Sequence, residues 1–227
     1  MRKYWKCKSG TKTWPESIPA AALLVRGSPK SIMKHPTILL LGPPGAGKGT
    51  QGKILGAIPN FFHIACGDVF RHLTPDTELG RIFLDYSSRG ELVPDEPAIR
   101  LWREHLQAAI RVHRFDPATD TLVLDGIPRN TNQARMLNES LEMRLILYFS
   151  CSDMNQMVLR LQRRALRENR LDDANIAVIR KRLEVFESES KPVLDFYGPG
   201  SLRAIDSTQS PLRVLRDVLQ AVEERFG

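Results

Sequence analysis

An apolar run followed at once by a glycine-rich stretch constrains the fold more than any other segment of the chain. The run is Thr37–Leu41, and the stretch is Gly42–Thr50, which reads Gly-Pro-Pro-Gly-Ala-Gly-Lys-Gly-Thr. Such a run predicts a buried strand, and the glycines predict a tight loop that leads into a helix. The stretch fits the Gly-x-x-x-x-Gly-Lys pattern of a phosphate-binding loop.

The residue types in this loop suit an anion. Glycines allow the backbone to curl so that several N–H groups point at one phosphate. The helix that begins near Gly49 directs the positive end of its dipole toward the same phosphate. Lys48 adds a mobile positive charge, and the hydroxyl of Thr50 can bind Mg²⁺ or a phosphate oxygen. The strict motif has Ser or Thr directly after Lys, whereas Gly49 intervenes here.

Strands and helices alternate along the rest of the chain. Further short apolar runs predict strands at 61–65, 121–124, 145–149 and 202–205. Helical patterns lie at 49–58, 76–89, 95–114, 132–141, 153–168, 174–190 and 211–225, and another helix opens at Gly67. This alternation predicts an α/β fold, a parallel five-stranded sheet with helices on both faces.

The basic charge of the chain is confined to its start. The whole sequence has 33 Lys and Arg against 26 Asp and Glu, a net charge of +7. Residues 1–34 hold eight of those bases and Glu16 alone of the acids, so residues 35–227 are balanced. We therefore expect a basic N-terminal extension at 1–34, a single folded domain at 35–227, and no nucleic-acid partner for that domain.

Three interpretations of the extension stay open. It could be a targeting segment, because it is basic and poor in acids. It could be a basic arm for RNA or a membrane. The interpretation that we favour is that translation starts at Met33, since Met33–Pro36 leads directly into the first strand.

The cysteines and the hydropathy indicate a compartment. Cys7, Cys66 and Cys151 form no close pair and no metal-binding spacing, which favours a reducing environment. No stretch approaches the about 20 apolar residues of a membrane span. We expect a cytoplasmic protein without a membrane partner, and organelle targeting by the extension is the alternative.

Four motifs together carry a resemblance to a known family. The loop at Gly42–Thr50 has the form found in adenylate kinases and related nucleoside monophosphate kinases. Cys66–Arg71 resembles the Gly-Asp-x-x-Arg segment of that family, and Gly90–Asp95 resembles the strip that lines the base of the monophosphate. Leu124–Arg129, followed by Gln133, is similar to the Asp-Gly-Phe-Pro-Arg signature. The resemblance extends over about residues 37–206.

The resemblance implies a fold and a reaction. The fold is of the P-loop NTPase type, with a helical arm that binds the monophosphate near 66–96 and a short lid near 165–173. The reaction is MgATP + AMP ⇌ MgADP + ADP, catalysed by a monomer. The cofactor is Mg²⁺, and no four-Cys zinc site can form from three cysteines. The alternatives are a UMP/CMP kinase or another nucleoside monophosphate kinase, and a P-loop protein that binds ATP as a switch.

The resemblance also implies the site residues. For ATP they are Gly45, Ala46, Gly47, Lys48, Gly49, Thr50, Arg160 and Arg164. For AMP they are Cys66, Gly67, Arg71, Val93, Gly126, Arg129, Gln133 and Arg182. The catalytic set is Lys48, Asp125, Arg129, Arg164, Arg170 and Arg182. Mg²⁺ is expected at Thr50 and Asp125, largely through water, with Asp68 as a weaker second candidate.

Arginines on the helix at 153–168 support the ATP assignment independently. Met157, Leu161 and Ala165 belong to its apolar stripe, and Arg160 and Arg164 lie on a roughly opposite face. Like charges four residues apart cost a few tenths of a kcal/mol, about 0.2–0.5 per pair. A polyanion would offset that cost.

Two departures from the family pattern affect the lid and the base. One residue more than usual separates Asp173 from Arg182, so either Arg170 or Leu171 stands at the position of the lid arginine. Cys66 stands where adenylate kinases usually have Thr, and a thiol is a weak hydrogen-bonding group. The amide of Gln133 matches the adenine edge, so we expect AMP as the acceptor.

Overall fold

Five parallel strands form the sheet of the computed structural model, which describes residues 34–168, 170 and 173–227. The strands are β1 His35–Leu41, β2 Phe61–Ala65, β3 Thr121–Asp125, β4 Leu141–Ser150 and β5 Leu202–Asp206. Their order is β2-β3-β1-β4-β5, and every neighbouring pair is parallel. The predicted α/β fold class is confirmed.

Helices connect the strands and cover the sheet. They are α1 Lys48–Leu55, α2 Cys66–Arg71, α3 Glu78–Ser88, α4 Asp95–Arg111, α5 Thr131–Leu137, α6 Met154–Glu168, α7 Ile176–Val185, α8 Val193–Tyr197 and α9 Pro211–Phe226. A π-helical turn at Phe186–Ser190 follows α7 directly, and a 3-10 turn at Pro199–Ser201 precedes β5. Within the described residues, none of the helices is both long and apolar enough to cross a membrane.

Both faces of the sheet are buried, which explains why β1 reads as a continuous apolar run. Leu39 and Leu41 pack into one core cluster together with residues of α2 to α5 and α8. Ile38 and Leu40 point the other way and pack with residues of α1, α6, α7 and α9. Alternate side chains of one strand thus hold two helical layers.

The structure differs from the sequence prediction at the boundary between α5 and β4. The helix expected at 132–141 ends at Leu137, and β4 already begins at Leu141. Leu141 is 3% exposed and pairs with His35 of β1, whose backbone N–H donates to Ser140 O at 2.9 Å. Pairing with β1 therefore overrides the local helical pattern. The short helix α8 was not predicted.

The register of the sheet aligns the carboxyl ends of β1, β2 and β3 at one edge. Asp125, the last residue of β3, pairs with Leu40 on one side and with Ala65 on the other. The loops that follow β1 and β3, and helix α2, which follows β2 directly, consequently begin side by side. In open α/β sheets this carboxyl edge is where ligands bind.

Helix α1 lies unusually close to β2, because glycines form its inner face. A Cβ on Gly52 would lie 2.3 Å from Nε2 of His63, and a Cβ on Gly56 would lie 2.6 Å from Cβ of His63. Nε2 of His63 is buried without a hydrogen-bond partner among the described residues. The imidazole therefore fills a notch that only glycine leaves open.

This notch makes the sign of one substitution informative. In an exposed helix, Gly→Ala stabilises by about 1 kcal/mol. We expect Gly52→Ala to destabilise the protein instead, by about 1–3 kcal/mol in urea or thermal unfolding, because the new methyl group overlaps the imidazole. In a His63→Ala background the same substitution should no longer destabilise. A Gly52→Ala protein as stable as the unsubstituted one would contradict this packing.

Candidate active site

A cavity of about 650 Å³ opens at the carboxyl edge where β1, β2 and β3 end. Nearly all of the predicted site residues line it, namely Gly45, Gly47, Lys48, Gly49, Thr50, Cys66, Gly67, Asp68, Arg71, Val93, Asp125, Gly126, Arg129, Gln133, Arg160, Arg164, Arg170 and Arg182. Ala46 is the exception, since its methyl group is buried in the core beneath the loop. The residues named from four separate motifs thus surround one volume.

The loop after β1 has the backbone geometry of an anion cradle. Gly47 has φ +92°, a left-handed conformation that favours glycine, and it precedes the first turn of α1. The N–H groups of Thr50 and Gln51 donate to Gly47 O at 3.0 and 3.1 Å. Lys48 bends back over the loop, and its Nζ donates to Gly42 O at 2.7 Å and to Pro43 O at 3.0 Å.

Opposing effects determine the pKa of Lys48. Burial lowers its pKa to about 8, Asp125 opposes this shift, and the charges of Arg129, Arg164 and Arg182 add to it. These side chains from β3, the following loop, α6 and α7 are therefore close enough to influence one ammonium group. A phosphate in the cavity would favour the charged form of Lys48.

Asp125 and Thr50 supply oxygens at the mouth of the loop. The carboxylate of Asp125 lies beside the first turn of α1, since a Cβ added to Gly49 would be 3.4 Å from its Oδ2. Mg²⁺ is usually held by one or two carboxylates, substrate phosphates and water. Among the described residues, no group of three or more His, Cys, Asp or Glu side chains could hold a metal ion. The donors fit a metal that arrives with nucleotide phosphates.

Asp68 joins two arginines from different segments. Its carboxylate pairs with Arg71 on the same helix and lies 3.3 Å from Nη2 of Arg170, which precedes α7. Burial alone would raise its pKa, but the hydrogen bond and charge of Arg71 and the charge of Arg170 lower it overall. An ionised carboxylate that two guanidinium groups share is better suited to hold them than to bind a metal.

Asp173 holds a second pair of arginines. Its side chain is fully buried, and its carboxylate contacts the guanidinium of Arg164 at 2.6 Å and that of Arg182. The sequence pointed to Asp173 only as a spacing marker. The signal that could have revealed it is an acidic residue close to several arginines that otherwise repel one another. Arg170 reaches the cavity, whereas Leu171, the alternative lid position, lies outside the described residues.

Two further arginines of the cavity, Arg160 and Arg129, do not pair with a carboxylate among the described residues. Arg160 of α6 donates from Nη1 to Ser207 O at 2.9 Å, a neutral partner. Arg129 has no acidic partner within the described part of the chain, although it lines the cavity beside Gly126. Arg163 and Arg167 of α6 also line the cavity.

Three residues predicted to contact the base line the cavity with different chemistry. Cys66 is 3% exposed, and burial raises the pKa of its thiol to about 12, so it is a neutral group. Val93 presents an apolar side chain. Gln133 is 2% exposed, and its amide is bonded at both ends, to the backbone N–H of Arg129 and to Asp95.

A glycine loop after the first strand, a carboxylate at the end of the neighbouring strand and a cavity rich in arginine define a phosphotransferase of the phosphate-binding-loop class. The sequence model of one family in this class, described as adenylate kinase, matches residues 40–201. The chain belongs to the adenylate kinase family. The resemblance drawn from the four motifs is confirmed, and so is the assignment to the nucleoside monophosphate kinases.

Adenylate kinases of several organisms are similar over most of the chain. That of a Synechococcus strain is 37% identical over 198 residues, which cover 84% of this chain and 97% of the relative. That of Thermobifida fusca is 36% identical over 195 residues, with 83% and 98% covered. That of Maricaulis maris is 35% identical over 195 residues, with 83% and 99% covered.

The buried pair formed by Asp173 generates a stability prediction. Removing one partner of a buried ion pair leaves uncompensated charge and costs about 3–5 kcal/mol. We expect Asp173→Ala to lower the free energy of unfolding by about 3 kcal/mol, because Arg164 and Arg182 then repel each other without an acid between them. Urea unfolding measures this.

An exposed acid on α7 provides the control. Glu184 on α7 is largely exposed and pairs only loosely with Lys181, at 3.7 Å. Glu184→Ala should change the free energy of unfolding by less than about 0.5 kcal/mol. Equal effects of the two substitutions would show that Asp173 has no special role.

Proposed function

We propose that the protein transfers the terminal phosphoryl group of ATP to AMP, reversibly, and forms two ADP. The observation that carries this proposal is the excess of positive charge around one cavity. Among the described residues, ten Lys and Arg side chains line it against four Asp and Glu. Two nucleotides bring about six negative charges together, so a site for both needs such an excess.

The donor side is built on the loop after β1. The N–H groups of Gly45, Gly47, Lys48 and Gly49 and the charge of Lys48 would hold the β- and γ-phosphates of ATP, and the hydroxyl of Thr50 can add a further contact. Arg160 and Arg164 of α6 face the same cavity and would neutralise the donor nucleotide. The family membership of the chain supports ATP as the donor.

The acceptor side is built on helix α2, which follows β2 directly, and on the loop after β3. Arg71 and Arg129 would grip the phosphate of AMP, because a guanidinium fork binds two phosphate oxygens in fixed geometry. Gly67 and Gly126 allow close approach of the backbone. The base would lie against Cys66, Val93 and Gln133, where the amide can both donate and accept.

The transferring phosphoryl group needs positioning and neutralisation more than covalent chemistry. Lys48, Arg129, Arg164, Arg170 and Arg182 would surround it. Asp173 fixes the geometry of two of these, since Arg164 and Arg182 share its buried carboxylate. Such an arrangement would neutralise the charge that develops in the transition state.

Thr50 and Asp125 are the residues that would hold Mg²⁺, largely through water, and Asp68 is a weaker second candidate. The ion, when bound, neutralises charge on the phosphates. The role of the chain is to keep a hydroxyl and a carboxylate at the mouth of the loop.

Two segments would close over the substrates. The monophosphate-binding arm is residues 66–96, and the lid is 165–173, of which residues 169, 171 and 172 lie outside the described residues. The contact of Arg170 with Asp68 runs from one segment to the other. Closure excludes the water that would otherwise accept the phosphoryl group. A basic extension at 1–34, a monomeric state and a cytoplasmic location stay predictions from the sequence.

Product analysis tests the proposed reaction. The purified protein with MgATP should form ADP with AMP far faster than with UMP, CMP or GMP. Preference for UMP or CMP would indicate a pyrimidine kinase. ATP binding without ADP formation would indicate a switch protein, which has no need of arginines on both sides of the cavity.

Arg129 provides a direct test of the acceptor site. We expect Arg129→Ala to lower kcat at least about a hundredfold, because an unpaired guanidinium that touches the phosphate in the transition state is lost. The fold should be intact by circular dichroism. Arg135→Ala is the matched control, since Arg135 lies on exposed surface of α5 and should leave kcat unchanged. A merely modest loss for Arg129→Ala would remove this residue from the catalytic set.

The pKa of Lys48 predicts a pH profile. Its pKa is about 8 in the free protein, and the charged form binds phosphate, so kcat/KM for ATP should fall above about pH 8. Bound phosphate raises that pKa, so kcat should fall only at higher pH. Profiles between pH 6 and 10 at saturating AMP measure both limbs. A kcat/KM for ATP that stays flat to pH 9.5 would contradict the assignment.

A further inference from the structure

A cluster of one acid and three amides joins α4 to α5 beside the cavity. Oδ1 of Asp95 accepts from Nδ2 of Asn130 at 2.8 Å and from Nε2 of Gln133 at 2.9 Å, and Oδ2 accepts from Nδ2 of Asn132 at 2.7 Å. Burial would raise the pKa of Asp95, but these three hydrogen bonds lower it overall. The carboxylate is therefore ionised at neutral pH and acts only as an acceptor.

The amide of Gln133 cannot turn over in this setting. Its Oε1 accepts the backbone N–H of Arg129 at 2.8 Å, while its Nε2 donates to Asp95. A backbone N–H can only donate and an ionised carboxylate can only accept, so exchanging the two ends of the amide would break both bonds. One N–H and one lone pair of Gln133 are left for a ligand.

Helix α5 supports the same orientation from a third side. Oδ1 of Asn130 accepts the backbone N–H of Gln133 at 2.8 Å and thereby caps the helix. The amide nitrogen of Asn130 is simultaneously bound to Asp95. The backbone and the side chain of Gln133 are thus fixed by one connected set of hydrogen bonds.

A fixed amide distinguishes two classes of purine. A 6-amino purine presents a ring nitrogen that accepts and an exocyclic amine that donates. A 6-oxo purine presents a ring N–H that donates and an exocyclic oxygen that accepts. An amide that can turn over pairs with either edge, whereas an amide of fixed orientation pairs with one and leaves the other with opposed donors.

We propose that Asp95 is a positioning residue that sets the base specificity, because it holds the amide of Gln133 in the orientation that accepts a 6-amino purine and rejects a 6-oxo purine. This inference rests on the proposed function, since Gln133 must face the base of the acceptor. Asp95 itself does not line the cavity among the described residues. Its effect on specificity passes through Gln133.

Inosine monophosphate is the appropriate probe, because it differs from AMP only in the 6-oxo group and the ring N–H that accompanies it. We expect Asp95→Ala to raise KM for AMP about tenfold and to lower the ratio of kcat/KM for AMP over IMP about tenfold, the effect of one hydrogen bond to a charged group. KM for ATP and kcat with AMP should stay within about twofold. Asp95→Asn should retain most of the ratio, because one oxygen can still accept from Gln133.

The controls separate positioning from general damage. Glu96→Ala removes a neighbouring exposed acid from the same first turn of α4, and it should leave the ratio unchanged. In a Gln133→Ala background, Asp95→Ala should have no further effect on the ratio. If Asp95→Ala does not fold, Asp95→Ser carries the same test, since its short hydroxyl cannot reach the three amides.

Each outcome assigns the failure to one proposal. A protein that does not phosphorylate AMP fails the proposed function whatever Asp95 does. An active protein whose AMP-to-IMP ratio survives Asp95→Ala overturns the role of Asp95 alone. An equal fall of the ratio with and without Gln133 would also overturn it, because the effect would not pass through that amide.

Discussion

Repulsion among cationic side chains gathered in one cavity is the constraint on which the arrangement of the site depends. Like charges at close range in a poorly solvated volume raise one another's free energy. The pKa of Lys48 falls to about 8 mainly because of burial, and the charges of Arg129, Arg164 and Arg182 lower it further. Two acids, each shared by two arginines, offset this repulsion. Asp173 is fully buried between Arg164 and Arg182, and the partly exposed Asp68 lies between Arg71 and Arg170.

The two shared acids have different consequences because of where they lie. Asp173 joins α6 to α7 and fixes two guanidinium groups relative to each other. Asp68 joins α2 to a residue before α7, so it connects two segments that are distant in sequence. Asp125 at the end of β3 pairs with β1 and with β2, so the segments after these three strands lie at one edge of the sheet. Rigid pairing within each segment and a lighter contact between segments suit a site that opens and closes.

The sequence predicted the strand and loop at 37–50 well because apolar run, glycines and lysine all constrain the same backbone. The family resemblance carried by the motifs also named most of the Lys and Arg side chains that line the cavity. It did not predict the roles of Asp95 and Asp173, because their partners are 38 and 9 residues away and only the folded chain brings them together. The start of β4 at Leu141 was missed for the same reason, since pairing with β1 decides it.

Helix α1, which carries the glycine notch, has little stability independent of the sheet. This helix spans eight residues, contains Gly49 and Gly52, and is flanked by Gly47 and Gly56. So short and glycine-rich a segment has little helical tendency of its own in water. Its helical form is sustained by packing on the sheet, which includes the buried Leu55 and the imidazole of His63 beside Gly52. In the proposed reaction this helix holds the phosphates of ATP, so nucleotide affinity should fall when β2 is disrupted.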